Sequence, residues 1–210
     1  MLRKTLAILL SALCLSAPVA TPVAAQTLSD IVKVQVLPGW RSADGTHMAA
    51  LHVEMADGWK TYWRSPGDVG IPPRFDWRRS KNVAGVEMIW PTPRITVDHG
   101  MYTVGYSKQL VLPMRLTPAR PGRDVVLKGT VEIGVCREVC IPAELRVSAQ
   151  LPRDAAQRDP RIAASLANQP YSASEAGVRR VACRVSARQD GLGLRAEIDM
   201  PRLGSNETAI

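Results

Sequence analysis

The chain has 210 residues and a formal net charge of +8 at pH 7, and this length allows one domain of ordinary size and part of a second. Its basic residues are scattered rather than clustered, so we interpret the charge as a solvated surface that favours acidic partners, and we expect no nucleic-acid partner. No apolar stretch reaches the ~20 residues of a membrane-spanning helix, which argues against a membrane-embedded chain.

The first 25 residues have the pattern of a secretory signal peptide. Arg3 and Lys4 provide a positive start, residues 6–15 an apolar stretch, and residues 23–25 a small-residue cleavage site. We therefore expect residues 1–25 to be removed and the mature chain to be a soluble periplasmic protein. That compartment permits disulfides.

Strand patterns begin soon after this leader. Residues 32–36 alternate between valine and polar residues and predict a first strand that stops at Pro38-Gly39. Alternation over residues 51–55 predicts a second strand, with His52 solvated on its polar face.

The next segment, residues 59–73, is dense in proline and glycine. Such a segment is disfavoured in a central strand, so it predicts a shaped loop. We interpret its aromatic residues, Trp59, Tyr62 and Trp63, as packing residues rather than a ligand cage. Short extended pieces are predicted at residues 75–77 and 86–90.

The following elements complete the first unit. Residues 96–107 predict a loop with aromatic and polar tips, residues 110–116 a strand, and residues 125–135 and 141–151 the two strands of a hairpin. About seven short strands with turn residues between them indicate an all-β fold, a β-sandwich.

The character of the sequence changes after Pro152. Residues 154–168 are rich in alanine, with Ile162 and Leu166 at helical spacing, and predict a helix or helical linker. Residues 178–186 and 192–198 predict two further strands. Because two strands alone are marginally stable in water, we expect them to begin a second β-unit of a longer protein.

Two of the four cysteines, Cys136 and Cys140, are separated by only three residues. The alternation of the flanking strands places both on the polar face. If the chain turns here, their Cα atoms lie about 4.5–5.5 Å apart, which suits a disulfide, whereas one straight strand would separate them by roughly 13 Å. The sequence thus makes an accessible, reversible disulfide at a hairpin mouth feasible.

The sequence leaves several roles open for Cys136 and Cys140. A structural disulfide is common in secreted proteins, but a loop this short adds little stability. Arg137 favours a reactive thiolate, although Glu138 opposes it. Two thiolates can also bind Cu(I), although no histidine or methionine stands at a spacing that demands a metal site. We expect no cofactor, and we expect the lone Cys183 to be buried as a small apolar residue.

A series of motifs in fixed order carries a family resemblance. The chain resembles the N-terminal periplasmic domain of the DsbD thiol:disulfide interchange proteins, and within them most closely the ScsB-like branch linked to copper tolerance. The resemblance covers about residues 30–150. It rests on Asp57-Gly58-Trp59-Lys60-Thr61-Tyr62-Trp63, Pro66-Gly67-Asp68, Gly70-Ile71-Pro72, Trp90-Pro91, Gly105-Tyr106 and Val135-Cys136-Arg137-Glu138-Val139-Cys140-Ile141-Pro142-Ala143-Glu144.

This resemblance implies an immunoglobulin-like β-sandwich and a thiol–disulfide oxidoreductase component, part of a protein-disulfide reductase system. Cys136 and Cys140 would relay reducing equivalents by thiol–disulfide exchange, and we expect Cys140 to be the cysteine that partners attack. The implied partners are thioredoxin-fold periplasmic proteins, a reductant domain and a disulfide isomerase-like client, with a membrane electron-transfer partner acting indirectly.

The resemblance also implies active-site neighbours. Tyr62 matches a family tyrosine beside the cysteines, and the segment with Asp98, His99 and Tyr102 stands where the family has a cap loop that shields them. Here the cysteine spacing is narrower than in DsbD and the cap lacks its acidic-aromatic pattern. We predict four regions: a signal peptide (1–25), a DsbD N-terminal-like redox domain (26–152), a helical linker (153–176) and a partial second β-domain (177–210).

Overall fold

The computed structural model describes residues 27–98, 100–202 and 204. The predicted signal peptide and His99 of the predicted cap lie outside the described residues. Within them the helices are α1 Leu28–Ile31 and α2 Pro160–Ala167, and the strands are β1 Val32–Arg41, β2 His47–Met55, β3 Lys60–Gly67, β4 Arg74–Asp76, β5 Gly85–Met88, β6 Arg94–Asp98, β7 Met101–Ser107, β8 Gln109–Thr117, β9 Val125–Cys136, β10 Cys140–Leu151, β11 Arg180–Arg188 and β12 Gly191–Asp199.

Two antiparallel sheets pack face to face around one core. The first has the order β1-β2-β8-β5, and the second has the order β10-β9-β3-β7-β6, with β4 also paired to β9. Alternate residues of both sheets point inward, so Leu51, Leu112, Leu127 and Val131 are buried in the same cluster. The predicted all-β sandwich is confirmed.

The first strand continues past its predicted stop at Pro38-Gly39. The pairing of β1 with β2 shifts register between Leu37 and Trp40 and then resumes to Arg41. Gly39 has a φ of +60°, and a Cβ at this position would lie 1.9 Å from the carbonyl oxygen of Met48. The prediction was wrong because a bulge absorbs the Pro-Gly turn without ending the strand.

The predicted loop over residues 59–73 is wrong for its first half. Strand β3 occupies the middle of the second sheet, between β9 and β7. Its proline and glycine, Pro66 and Gly67, stand at the end of the strand, where the pairing with β7 is irregular beyond Tyr62. Only residues 68–73 form the connection to β4.

The predicted loop over residues 96–107 is also wrong. Strands β6 and β7 pair from Arg94 opposite Gly105 to Asp98 opposite Met101, so the segment is a hairpin. Its β-branched residues favour strands, and Gly100, with a φ of +80°, turns the chain at the tip. The predicted cap is therefore the tip of a hairpin rather than an extended loop.

Helix α2 covers the outer face of the first sheet. Asp159 caps its N-terminus by accepting a hydrogen bond from the backbone N–H of Arg161, and Pro160 follows at the first turn. Ile162 is fully buried in a second cluster with Trp40, Met48 and other residues of that sheet. The predicted helix is confirmed over a shorter range, and it packs on the sandwich.

The structure corrects one further prediction, the exposure of His52. His52 is only 5% exposed, whereas the alternation predicted a solvated side chain. Its Nδ1 lies 3.1 Å from Nε2 of Gln35 and its Nε2 lies 3.4 Å from Oε1 of Gln109. The side chains of the two neighbouring strands cover the histidine and satisfy its polar atoms.

The two predicted C-terminal strands are present. Strands β11 and β12 form a separate two-stranded sheet that closes at Arg188 opposite Gly191. Cys183 on β11 is free and exposed, so the prediction of a buried cysteine was wrong, since both faces of this hairpin are largely open.

Neither described helix is long and apolar enough to cross a membrane.

Candidate active site

The hairpin of β9 and β10 brings the two cysteines together. Cys136 is the last residue of β9, Cys140 is the first residue of β10, and the two are opposite each other in the register. They form a disulfide with a Cα–Cα distance of 4.1 Å. The three residues between them make the tip, where the N–H of Arg137 donates to the carbonyl oxygen of Val139 at 3.1 Å.

The two cysteines differ in exposure. Cys136 is only 1% exposed, whereas Cys140 is exposed. Both lie on the outer face of the second sheet, as the alternation predicted, but that face is covered at Cys136. By residue exposure, Cys140 is therefore more open than Cys136 to a thiolate in solution.

The loop of residues 68–73 lies across the outer face of β9 beside the disulfide. A Cβ on Gly134 would lie only 2.7 Å from the Cβ of Ile71, so the glycine makes room for this side chain. A Cβ on Gly70 would likewise lie 2.7 Å from the ring of Tyr62. The missing side chains let the loop pack tightly against the sheet.

Tyr62 lies between this packed loop and the sulfur of Cys140. Its side chain is 3% exposed, and its hydroxyl lies 3.6 Å from the Sγ of Cys140. Burial raises the pKa of Tyr62 above its usual value, so the phenol stays protonated at neutral pH. It can therefore donate a hydrogen bond to this sulfur.

The tip residues Arg137 and Glu138 are exposed. The guanidinium carbon of Arg137 lies 5.3 Å from the ring centroid of Trp59, a cation–π distance. The Arg137 side chain thus rests against the sandwich next to the disulfide. The predicted effects of these two charges on the thiols stay predictions.

The predicted cap segment is attached to the same loop that packs on Gly134. The N–H of Tyr102 donates to Oδ2 of Asp68 at 2.7 Å, and the N–H of Asp68 donates to the carbonyl oxygen of Tyr102 at 2.8 Å. The Tyr102 side chain is 56% exposed, and Asp98 ends β6 opposite Met101. The tip of the β6–β7 hairpin and the loop of residues 68–73 are therefore coupled.

Comparison with known proteins agrees with this geometry. Residues 30–152, more than half of the chain, match the family profile described as "Thiol:disulfide interchange protein DsbD, N-terminal". The chain belongs to the DsbD N-terminal family. The recognition made from the sequence motifs is thereby confirmed.

Two solved structures of this family are similar to the chain. The N-terminal periplasmic domain of ScsB from Proteus mirabilis matches with a TM-score of 0.55 and 22% identity, over 84% of this chain and 83% of that chain. The N-terminal domain of Neisseria meningitidis DsbD in the reduced form matches with a TM-score of 0.33 and 14% identity, over 58% of this chain and 86% of that chain. No curated protein matches. The likeness to ScsB supports the immunoglobulin-like sandwich fold.

One neighbour of the disulfide in this DsbD-family domain was missed by sequence reasoning. Lys60 of β3 stands directly opposite Cys136 of β9 in the register, so the two side chains share the outer face. Its Nζ donates to Oγ1 of Thr103 at 3.2 Å. The signal was the Lys60-Thr61-Tyr62 alternation, which the interpretation of this segment as a loop concealed.

The structure also bears on metal binding. Within residues 27–98, 100–202 and 204, no group of three or more His, Cys, Asp and Glu side chains is placed to hold a metal ion. The two sulfurs of Cys136 and Cys140 are the soft donors that a Cu(I) site would need, and they are joined in a disulfide here. The copper alternative stays a prediction.

Proposed function

We propose that this protein is a periplasmic thiol–disulfide interchange module that relays reducing equivalents through a reversible Cys136–Cys140 disulfide. One observation carries the proposal: the disulfide joins one exposed and one buried cysteine at the tip of the β9–β10 hairpin. A purely structural bridge over so short a loop contributes little to stability. An exposed cysteine beside a protonated phenol suits attack by another thiolate.

The exchange proceeds by two displacements. A partner thiolate attacks the Sγ of Cys140, the bond between the two protein sulfurs breaks, and its electron pair leaves on Cys136, which then takes up a proton. The resulting mixed disulfide joins the partner to Cys140. A second thiolate of the partner attacks the partner's own sulfur in this bond and releases Cys140 as a thiolate. The partner is oxidised and this protein is reduced by two electrons.

The reverse sequence passes the two electrons to an oxidised client. In that direction the reduced Cys140 attacks the client disulfide, and Cys136 resolves the mixed disulfide. We assign the attacked and attacking role to Cys140, because Cys136 is buried. Tyr62 donates to the Cys140 sulfur as thiolate charge develops there, and the Asp98 to Tyr102 hairpin tip governs access.

The partners we propose are thioredoxin-fold proteins of the periplasm. One, a reductant domain supplied indirectly by a membrane electron-transfer partner, would reduce the pair, and a disulfide isomerase-like client would oxidise it. Membership of the DsbD N-terminal family supports this assignment, and the ScsB relative is a periplasmic domain. We further propose residues 26–152 as the redox domain, residues 153–176 as a linker whose helix docks on it, and residues 177–210 as part of a second β-domain.

A redox titration with thiol trapping tests this function. The protein should carry Cys183→Ser, because Cys183 is free and exposed and would react with the trapping reagent. We expect a midpoint within the range of exchange-active proteins, about −120 to −270 mV. A pair that stays oxidised to far below about −300 mV, as inert structural disulfides do, would contradict the proposal.

A further inference from the structure

The side chain of Arg137 attaches the tip of the β9–β10 hairpin to the turn that precedes β3. A Cβ on Gly58 would lie 3.1 Å from the Cδ of Arg137 and 3.7 Å from its Cγ, so the aliphatic part of the arginine lies directly over this glycine. The guanidinium carbon is 5.3 Å from the ring centroid of Trp59. The arginine therefore runs over two consecutive residues of the turn.

This turn gives the arginine a fixed support. Trp59 is 4% exposed and belongs to the main core cluster. The next residue, Lys60, begins β3 and lies opposite Cys136 in the register. Residues 58–60 thus hold one side of the tip in two ways, Cys136 through strand pairing and Arg137 through its side chain.

The Cys140 side of the tip has fewer attachments. Val139 is 65% exposed, and within the described residues β10 is an edge strand that pairs with β9 alone. The sulfur of Cys140 has the hydroxyl of Tyr62 beside it at 3.6 Å. The tip is therefore anchored more firmly on the side of Cys136, which is 1% exposed, than on the side of Cys140, which is exposed.

Resting on the proposed function, we propose that Arg137 is a positioning residue that keeps Cys136 away from partner thiols and in place beside Cys140. The contacts of Arg137 with Gly58 and Trp59 oppose the outward movement of the tip that would uncover the Cys136 sulfur. Arg137 thereby directs partners to Cys140, and its guanidinium takes no part in bond making.

The same anchoring serves the second displacement when the reduced protein acts on a client. Once Cys140 is joined to the client, the thiolate of Cys136 attacks the sulfur of Cys140. The protein disulfide forms again, the bond to the client breaks, and its electron pair leaves on the client sulfur, which takes up a proton. The client is reduced and the cysteine pair is oxidised by two electrons.

Alkylation of each cysteine by itself tests this role. Iodoacetamide reacts with Cys136 in a Cys140→Ser, Cys183→Ser protein and with Cys140 in a Cys136→Ser, Cys183→Ser protein. Rates measured by mass spectrometry across the pH range in which the thiols titrate give a pKa and a plateau, and the plateau reports access to the thiolate. Arg137→Ala should raise the Cys136 plateau about two- to fivefold, the scale of one exposed cation–π contact, and leave the Cys140 plateau unchanged.

Two further variants control for other causes. Arg137→Lys should restore most of the protection, because lysine keeps an aliphatic stem and a cation at the same place. Arg158→Ala is the matched control, since Arg158 also lies 5.3 Å from a tryptophan ring, that of Trp40, which belongs to the cluster under α2. This variant removes an equal contact from the other sheet and should leave the Cys136 plateau unchanged.

The outcomes separate this proposal from the function on which it rests. The positioning role is refuted if Arg137→Ala leaves the Cys136 plateau unchanged or alters only the pKa of this thiol, or if Arg137→Lys reacts like Arg137→Ala. Equal rises for both cysteines, or a rise with Arg158→Ala, would refute it as well, because general loosening would then be the cause. Interchange has its own test: the Cys136→Ser, Cys183→Ser protein should form a mixed disulfide with oxidised glutathione. Failure of that reaction would refute interchange, and this inference with it.

Discussion

At the scale of single residues, the hydroxyl of Tyr62 is a polar group next to the sulfur of Cys140. It lies 3.6 Å from Cys140, and its own burial keeps it protonated because burial raises its pKa. A hydrogen bond to a charged sulfur stabilises the thiolate more than the thiol. Tyr62 is thus expected to make the reduced Cys140 more reactive.

The first prediction concerns this hydroxyl. In a protein with Cys136→Ser and Cys183→Ser, Tyr62→Phe should slow alkylation of Cys140 at fixed pH by about two- to tenfold, the equivalent of one ordinary hydrogen bond. Tyr106→Phe is the matched control, because the Tyr106 hydroxyl donates to the carbonyl oxygen of Pro91 instead. Equal alkylation rates in the two phenylalanine variants would show that the Tyr62 hydroxyl does not affect the reactivity of Cys140.

A second prediction at this scale concerns His47, which is fully buried. Its Nε2–H donates to the carbonyl oxygen of Pro38 at 2.6 Å, and within the described residues its Nδ1 has no hydrogen-bond partner. Burial, with a smaller contribution from Arg41, lowers the pKa of His47 below its usual 6.5. The unfolded chain therefore binds a proton more readily than the folded one.

The sign of the effect follows from this difference. Above pH ~6.5, His47 is neutral in both the folded and the unfolded state, and the fold keeps its full stability. As the pH falls from there towards the folded-state pKa, the unfolded chain takes up the proton more readily, so the free energy of unfolding decreases. Urea unfolding at pH 7.5 and pH 5 should show a larger loss of stability for the wild type than for His47→Gln. Parallel losses in the two proteins would contradict the assignment.

At the scale of elements, the loop of residues 68–73 is held between β9 and the tip of the β6–β7 hairpin. Ile71 packs where Gly134 has no side chain, and Asp68 is bonded to Tyr102. Any movement that opens the disulfide region from this side therefore involves both the loop and the predicted cap. We predict that access to the buried Cys136 depends on this pair of elements.

The third prediction tests this packing. Gly134→Ala should destabilise the fold by about 1–3 kcal/mol, the usual cost of overpacking, because the new Cβ collides with Ile71. The cost of adding this methyl group should shrink when Ile71→Ala is also present, as measured by urea unfolding of the four proteins of the cycle. If the cost of Gly134→Ala is the same in both backgrounds, the loop does not pack as described.

The elements also mark how far the sequence could be interpreted. Alternation identified β2, β8, β9 and β10, because their inward residues meet one shared core. The prediction failed at β3, because Pro66 and Gly67 at the end of this strand led to the interpretation of the whole segment as a loop. It also failed for His52, because Gln35 and Gln109 cover it from other strands. Lys60 lies opposite Cys136 because β3 pairs with β9. These strands are far apart in the sequence, so no local pattern predicts the pairing.

At the scale of the whole molecule, the sandwich carries the disulfide at the tip of the β9–β10 hairpin and buries one of its two cysteines, Cys136. The second sheet positions the disulfide, Tyr62 and Lys60 on one face, while α2 covers the outer face of the other sheet. Family membership and the disulfide were both accessible from the sequence. The unequal exposure of the two cysteines could be seen only in the folded structure.

The central claim is that Cys140 exchanges with partner thiols and that Cys136 resolves the bond, and mixed-disulfide trapping tests it most directly. In a Cys183→Ser background, Cys136→Ser and Cys140→Ser proteins are incubated with periplasmic extract, and the adducts are identified by mass spectrometry. We predict that Cys136→Ser accumulates a mixed disulfide with a thioredoxin-fold protein and that Cys140→Ser does not, because the remaining Cys136 is 1% exposed. Accumulation by neither variant, or by Cys140→Ser as readily as by Cys136→Ser, would contradict the account.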